Sequence, residues 1–252
     1  MGEAAARWAR LQRSRGIPAE IRALAQADPW GFDPAAFRAP AVPAPDTPSR
    51  AAGLALLGNG GIVLDVGCGG GSAAFALAPP ATGVTGTDTA REMLDLFAAD
   101  ATARGLRHRT VLGAWPDSAP AAGQADVVVS HLVLHNVVDL PPFVAALTAA
   151  ARRGVVVEMM RSHPMAWLDP LWLRFHGLRR LQPATDDDAV AVLRECGITP
   201  EVIRWERTAP LPDGPEWVTR RLCLPAERTA EVADALRGLS RPNLAATLTW
   251  TV

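Results

Sequence analysis

Asp65, Gly67, Gly69 and Gly71 alternate with single residues inside the stretch VLDVGCGGGSAAFAL, residues 63–77. A β-branched run ends in the acid, the glycines let a bound molecule approach the backbone closely, and an apolar, helix-like segment follows. A second run, VTGTD, ends in Asp88. A carboxylate placed about twenty residues past such a loop offers two acceptor oxygens and no donor, which suits the paired hydroxyls of a ribose. Further along, His131 follows ADVVVS, Glu158 lies within VVVEMM, and His135, Asn136 and His163 fall close by. These are groups that move or orient protons near neutral pH. The chain has no tyrosine, and all 25 of its basic residues are arginine. A phenolic base, a Schiff-base lysine and a P-loop lysine are therefore excluded, which leaves His, carboxylate or Cys for proton transfer.

Two nucleotide cofactors compete for the glycine loop. A dinucleotide fingerprint requires G-x-G-x-x-G. Counted from Gly67, the third glycine is replaced by Ser72; counted from Gly69, it is replaced by Ala74. An acid directly before the glycines would repel a pyrophosphate and attract a cofactor carrying an ammonium group. The order acid-x-Gly-x-Gly-x-Gly resembles the first motif of the class I S-adenosylmethionine-dependent methyltransferases.

That resemblance covers roughly residues 55–160, and residues 185–252 only as topology. It implies S-adenosyl-L-methionine as cofactor. The loop Asp65, Gly67, Cys68, Gly69 and Gly71 would hold its amino-acid end with Asp65 on the amino side, Asp88 would take the ribose, and Thr89 would lie near adenine. Many members carry an acid after the third strand to receive the adenine amino group. Here VLGAWPD places Ala114 and Trp115 at that point, so that Asp117 substitutes, Trp115 stacks on the ring, or Trp115 is simply pocket wall or core. Ser130, at the end of the fourth strand, completes the expected cofactor set.

Catalytic candidates follow from position: His131 first, then His135 and Glu158. Motifs used on nucleic acid are missing. The fourth strand ends in SHLVLHN, not in Asn/Asp-Pro-Pro-aromatic, and no Pro-Cys nucleophile occurs there. A net charge of −1 gives no basic field for nucleic acid. The expected reaction is methyl transfer to an O, N or C atom of a small, largely apolar molecule. Two alternatives stay open: a non-catalytic S-adenosylmethionine-binding regulator or assembly protein, and a nicotinamide-dependent oxidoreductase, which the broken fingerprint disfavours. Cys68, Cys196 and Cys223 are isolated, so no metal site is expected and a reduced, cytoplasmic setting fits best. No apolar run is long enough to span a bilayer.

The elements that must position these groups alternate along the chain. Strands are expected at 62–66, 83–87, 110–112, 125–130, 155–160 and 201–207, with a last one in AATLTWTV. Between them fall helices from Ser72, at 91–104, at 139–153, from Thr185 to Gly197, and at 226–238. Near-continuous Val runs between amphipathic helices imply a sheet buried on both faces. The fold class is therefore α/β, doubly wound and Rossmann-like. Its mainly parallel seven-stranded sheet carries helices on both faces and an antiparallel last strand. Residues 1–50 read as a helical appendage (3–15 and 17–27) with a Pro/Ala-rich connector at 38–49, and 51–252 as the S-adenosylmethionine-binding domain. An apolar cap insertion is expected at about 161–183, lying with the appendage over the strand ends.

Overall fold

A computed structural model describes residues 2–31, 37–39, 45–207, 214–239 and 243–252. The middle of the Pro/Ala-rich connector and the Pro-rich loop at 208–213 lie outside the described residues. Seven strands form one sheet: β1 Gly61–Val66, β2 Ala81–Asp88, β3 His108–Leu112, β4 Ala125–His131, β5 Ala151–Met160, β6 Glu201–Glu206 and β7 Leu244–Thr251. Their order is β3-β2-β1-β4-β5-β7-β6. The first five pair in parallel, and β7 runs antiparallel to both neighbours. Strand order reverses between β1 and β4, which opens a crevice at their carboxyl ends, the place where open α/β sheets bind ligands.

The helices are α1 Glu3–Arg13, α2 Ala19–Arg22, α3 Pro48–Leu57, α4 Ser72–Phe75, α5 Arg91–Ala103, α6 Ala119–Ala122, α7 Leu140–Ala150, α8 Asp169–His176, α9 Asp186–Glu195, α10 Pro215–Arg221 and α11 Thr229–Leu236. Side chains alternate across a strand, and the Val runs feed two cores at once. Val63, Val127, Val129 and Val156 pack with Leu57, Phe75 and Phe97 on one face. Leu64, Val128, Val155 and Val157 pack with Trp8, Leu147 and Leu193 on the other. Apolar continuity in the sequence is thus the signature of double-sided burial.

Several boundaries differ from those read in the sequence. The helix expected at 139–153 stops at Ala150, and Arg152, Arg153 and Gly154 belong to β5. Asp139 makes no side-chain cap. Gly154 is required by packing: a Cβ there would come within 2.6 Å of the Trp250 carbonyl and 2.9 Å of Leu56. Arg153 meets a helix's negative end, but that of α3, donating to the Leu57 carbonyl at 2.6 Å. The connector also ends in helix, since Thr47 caps α3 with Pro48 in its first turn. Of the helix expected at 17–27, only Ala19–Arg22 is helical. Thr185 caps α9 through a reciprocal box with Asp188.

A third apolar cluster stands apart from the sheet. Ile21, Trp167, Leu168, Leu171, Trp172, Val218, Leu222 and Val232 build it from α2, α8, α10 and α11 with the turns around them. The α8 segment follows β5 and the α10–α11 segment follows β6, so both leave the sheet from its carboxyl edge. The α2 segment arrives by way of α1, which is pinned over the loop after β4: Trp8 donates to the Val137 carbonyl at 2.8 Å and Gln12 to that of Leu134 at 3.1 Å. The segment expected as a cap thus packs in a composite of residues near 17–25, 165–178 and 217–239. Its α10–α11 portion was not expected from the sequence.

Candidate active site

After β1 the backbone enters the left-handed region three times, at Gly67 (φ 71°), Gly69 (φ 48°) and Gly71 (φ 86°). A side chain at Gly67 would strike Val133, and one at Gly71 would strike Phe75. The alternating glycines are thus a conformational and steric requirement. The loop's amides turn inward: Gly67 and Cys68 both donate to the Thr87 carbonyl (2.8 and 3.0 Å), and Gly71 donates to that of Cys68 (2.8 Å). Gly69 donates to Asp88 Oδ2 at 3.0 Å. With the Gly67, Cys68, Gly69 and Gly71 amides already bonded and Asp88 on its flank, the loop is a poor cradle for a pyrophosphate.

Asp65 is fully buried, and its Oδ2 accepts the Ala74 amide at 3.1 Å. Burial pushes its carboxyl up to about 8; the Ala74 bond opposes this rise, and nearby Asp88 adds to it. The folded protein therefore holds a proton that the unfolded chain has released, and stability attributable to Asp65 declines as pH rises from about 4 to about 8. Asp65→Asn keeps an acceptor for Ala74 and removes the charge. Its melting temperature is expected to exceed the parent's by a margin that widens from about pH 5 to about pH 8, as the stability difference grows by up to about 1.4 kcal/mol for each pH unit. Melts that stay parallel across that range would show that Asp65 remains ionised. Cys68 is buried beside it, and burial pushes its thiol up, which makes it an inert packing group.

Asp88 ends β2 with Oδ2 on Gly69 and Oδ1 accepting the Ala90 amide at 3.0 Å. Each carboxylate oxygen keeps a second lone pair, so the group can hold the loop and still receive two hydroxyls. Thr89 beside it is exposed. In the loop after β3, Ala114 and Asp117 are exposed, whereas the Trp115 indole donates to the Phe143 carbonyl at 3.1 Å and packs on the core. Trp115 is thus tied to α7. Ser130 is fully buried, its hydroxyl donating to the Val66 carbonyl at 3.0 Å, and so latches β4 to β1 across the crevice.

The end of β4 lies in register with β5, His131 opposite Glu158. His131 Nδ1 stands 3.7 Å from Glu158 Oε2, and Arg207 donates to Glu158 Oε1 at 3.1 Å. Burial lowers the His131 pKa; Glu158 opposes this and Arg207 adds to it, so the ring is neutral near pH 7. Its Nε2 is buried and has no hydrogen-bond partner. His135 has a different environment: its Nε2 accepts the Met160 amide at 3.1 Å, so the proton sits on Nδ1, and burial holds its pKa down at about 4. Its ring meets His163 edge-on at 5.6 Å, and Asn136 is exposed.

The fold therefore gathers His131 and Glu158 at one strand end, places His135 and His163 in a neighbouring pair, and brings in Arg207, which sequence reading did not select. Arg207 is legible only once β6 is known to lie two strands from β5 with its end on the same edge. Among the described residues no group of His, Cys, Asp and Glu is placed to hold a metal ion.

Residues 63–154 match the family model described as a methyltransferase domain. No curated protein matches the chain in sequence. Solved structures share its fold. A candidate methyltransferase from Bacillus halodurans is 16% identical with a TM-score of 0.58, over 80% of this chain and 97% of that one. The YcgJ protein of Bacillus subtilis is 18% identical with a TM-score of 0.54, over 80% and 96%. Magnesium protoporphyrin IX methyltransferase from Synechocystis, solved with S-adenosylhomocysteine bound, is 17% identical with a TM-score of 0.50, over 76% and 74%. Residues 63–154 are therefore a methyltransferase domain whose cofactor is S-adenosylmethionine, and the glycine loop and the two acids that flank it lie within it.

Proposed function

We propose that this enzyme methylates an O, N or C atom of a small molecule held between the strand ends and the helical cap, with His131 as the proton acceptor. The observation that carries this reading is the His131 ring: neutral, with Nδ1 toward Glu158 and Nε2 buried without a partner. The residues present fit the cofactor, with Asp88 and the Gly67–Gly71 loop as its holders and Asp65 fixing that loop from below. When bound, S-adenosylmethionine supplies an electrophilic methyl on a sulfonium, so the difficult chemistry belongs to the cofactor.

The chain's own contribution is alignment, worth up to about 7–11 kcal/mol for well-oriented reactants, and removal of one proton. Arg207 fixes Glu158. Glu158 favours the His131 tautomer that carries its proton on Nδ1, which leaves Nε2 as the lone-pair nitrogen. The cap core, rich in Trp and Leu, supports an acceptor with an apolar body, and a net charge of −1 argues against a polyanionic one.

The test is partition of a labelled methyl. Enzyme and S-adenosylmethionine carrying the label are incubated with separated ultrafiltrate, protein and nucleic-acid fractions of a cell extract. Label is expected in the ultrafiltrate. Label confined to protein or nucleic acid would overturn the assignment.

A further inference from the structure

Three arginines are buried together where the cap meets the sheet. Arg15 follows α1, Arg180 follows α8, and Arg221 ends α10. Their side chains are almost withdrawn from solvent: 6% exposed for Arg15 and 3% for Arg180, and 7% for Arg221 as a whole residue. Asp169 is the one carboxylate bonded to them among the described residues. It takes a two-pronged contact from Arg15 (2.8 and 2.7 Å) and lies 3.9 Å from Arg180 Nε. Arg180 otherwise donates to the Ser14 and Gly16 carbonyls, and Arg221 to that of Pro29. Arg180 covers the Trp172 ring and Arg221 covers that of Trp30.

The donors exceed the acceptors. Arg15 Nε and Arg180 Nε are buried without a hydrogen-bond partner, and so is His135 Nδ1, which carries that ring's proton. His163, edge-on to His135, feels all three arginines, and burial together with their charge holds its pKa far below the ordinary imidazole range. Arg180 and Arg221 are drawn down to about 10, by burial first and then by the charge of neighbouring arginines. Buried guanidinium groups are costly without counter-charge, and planar N–H forks match oxyanions. The cluster adjoins His163, three residues past the end of β5, and Arg180 lies over Trp172 of the third apolar cluster.

We propose that Arg15, Arg180 and Arg221 form an oxyanion subsite, and that the methyl acceptor is a molecule with an apolar body and a carboxylate or phosphate group docked there. This rests on the reading that the acceptor lies between strand ends and cap. The oxyanion would complete the charge balance that Asp169 leaves partial, and would orient the apolar body toward His131.

The experiment uses the full chain saturated with S-adenosylhomocysteine, melted with sodium benzoate, inorganic phosphate, benzamide or sodium chloride at matched ionic strength. Benzoate or phosphate is expected to raise the melting temperature by several degrees, increasing with the logarithm of concentration, and the stronger of the two identifies the group. Arg180→Met should abolish the response while S-adenosylhomocysteine affinity stays within about twofold. Asp169→Asn, which removes the competing carboxylate, should enlarge the response, and it serves should Arg180→Met fail to fold. Equal stabilisation by benzamide or chloride, a benzoate response that survives in Arg180→Met, or a smaller response in Asp169→Asn would overturn the subsite. Failure of the broader reading is seen separately, as label entering macromolecules.

Discussion

His131→Ala is expected to lower turnover about 10²–10⁴-fold, the usual worth of a general base, with S-adenosylhomocysteine affinity unchanged within a few-fold. The ring faces Glu158 and makes no contact with the glycine loop, so under the proposed role the loss should fall on kcat. Because burial lowers the His131 pKa, activity should persist below the pH at which a free imidazole would be protonated, and fall only on further acidification. Glu158→Gln should move that acid limb further down, since the carboxylate is what holds the His131 pKa up. Unchanged turnover in His131→Ala would leave pure alignment as the mechanism. His135 could not stand in, because its one acceptor nitrogen already takes the Met160 amide.

The second large effect belongs to Asp88. Asp88→Ala should weaken S-adenosylhomocysteine binding at least tenfold by calorimetry, with the circular-dichroism spectrum retained. In the proposed role Asp88 would accept two charge-assisted hydrogen bonds from the ribose, each worth about 1.5–3 kcal/mol in favourable cases. The same substitution deprives the Gly69 and Ala90 amides of their acceptor, so the loop loses its tie to β2 as well. Five register pairs join β2 to β3 independently of the Asp88 side chain, which is why the sheet should survive. An unchanged dissociation constant would mean that the carboxylate is spent on those two amides alone.

The strands and the glycine loop were readable because each is written in local residues. Valine runs announce double-sided burial, and left-handed backbone at Gly67, Gly69 and Gly71 tolerates little else. What was not readable depends on partners far along the chain. The helix expected at 139–153 runs past Ala150 because nothing near Gly154 in the sequence shows that Trp250 and Leu56 press on it. Sequence cannot say that the Ala74 amide donates to Asp65 or that burial raises the pKa of its carboxyl. Arg207 and the three cap arginines look like ordinary surface charges until strand order and helix placement bring them inward. His131 and Glu158 could each be selected from strand position; that they face one another is a matter of register.

The composite cap has a kinetic consequence. Ile21, Trp172 and Val218 meet in one cluster, though nearly the whole chain separates the first from the last. Contacts of such long sequence separation carry the largest loop-closure cost and form after the sheet that brings their ends together. The cap is then the last unit to assemble and the first to open in the native state, a sub-global unit of lower stability than the two-faced core. Amides of α8, α10 and α11 should exchange with solvent through that partial opening, while those of β1, β4 and β5 wait for global unfolding. An acceptor could enter and a product leave on the timescale of that opening without disturbing the glycine loop.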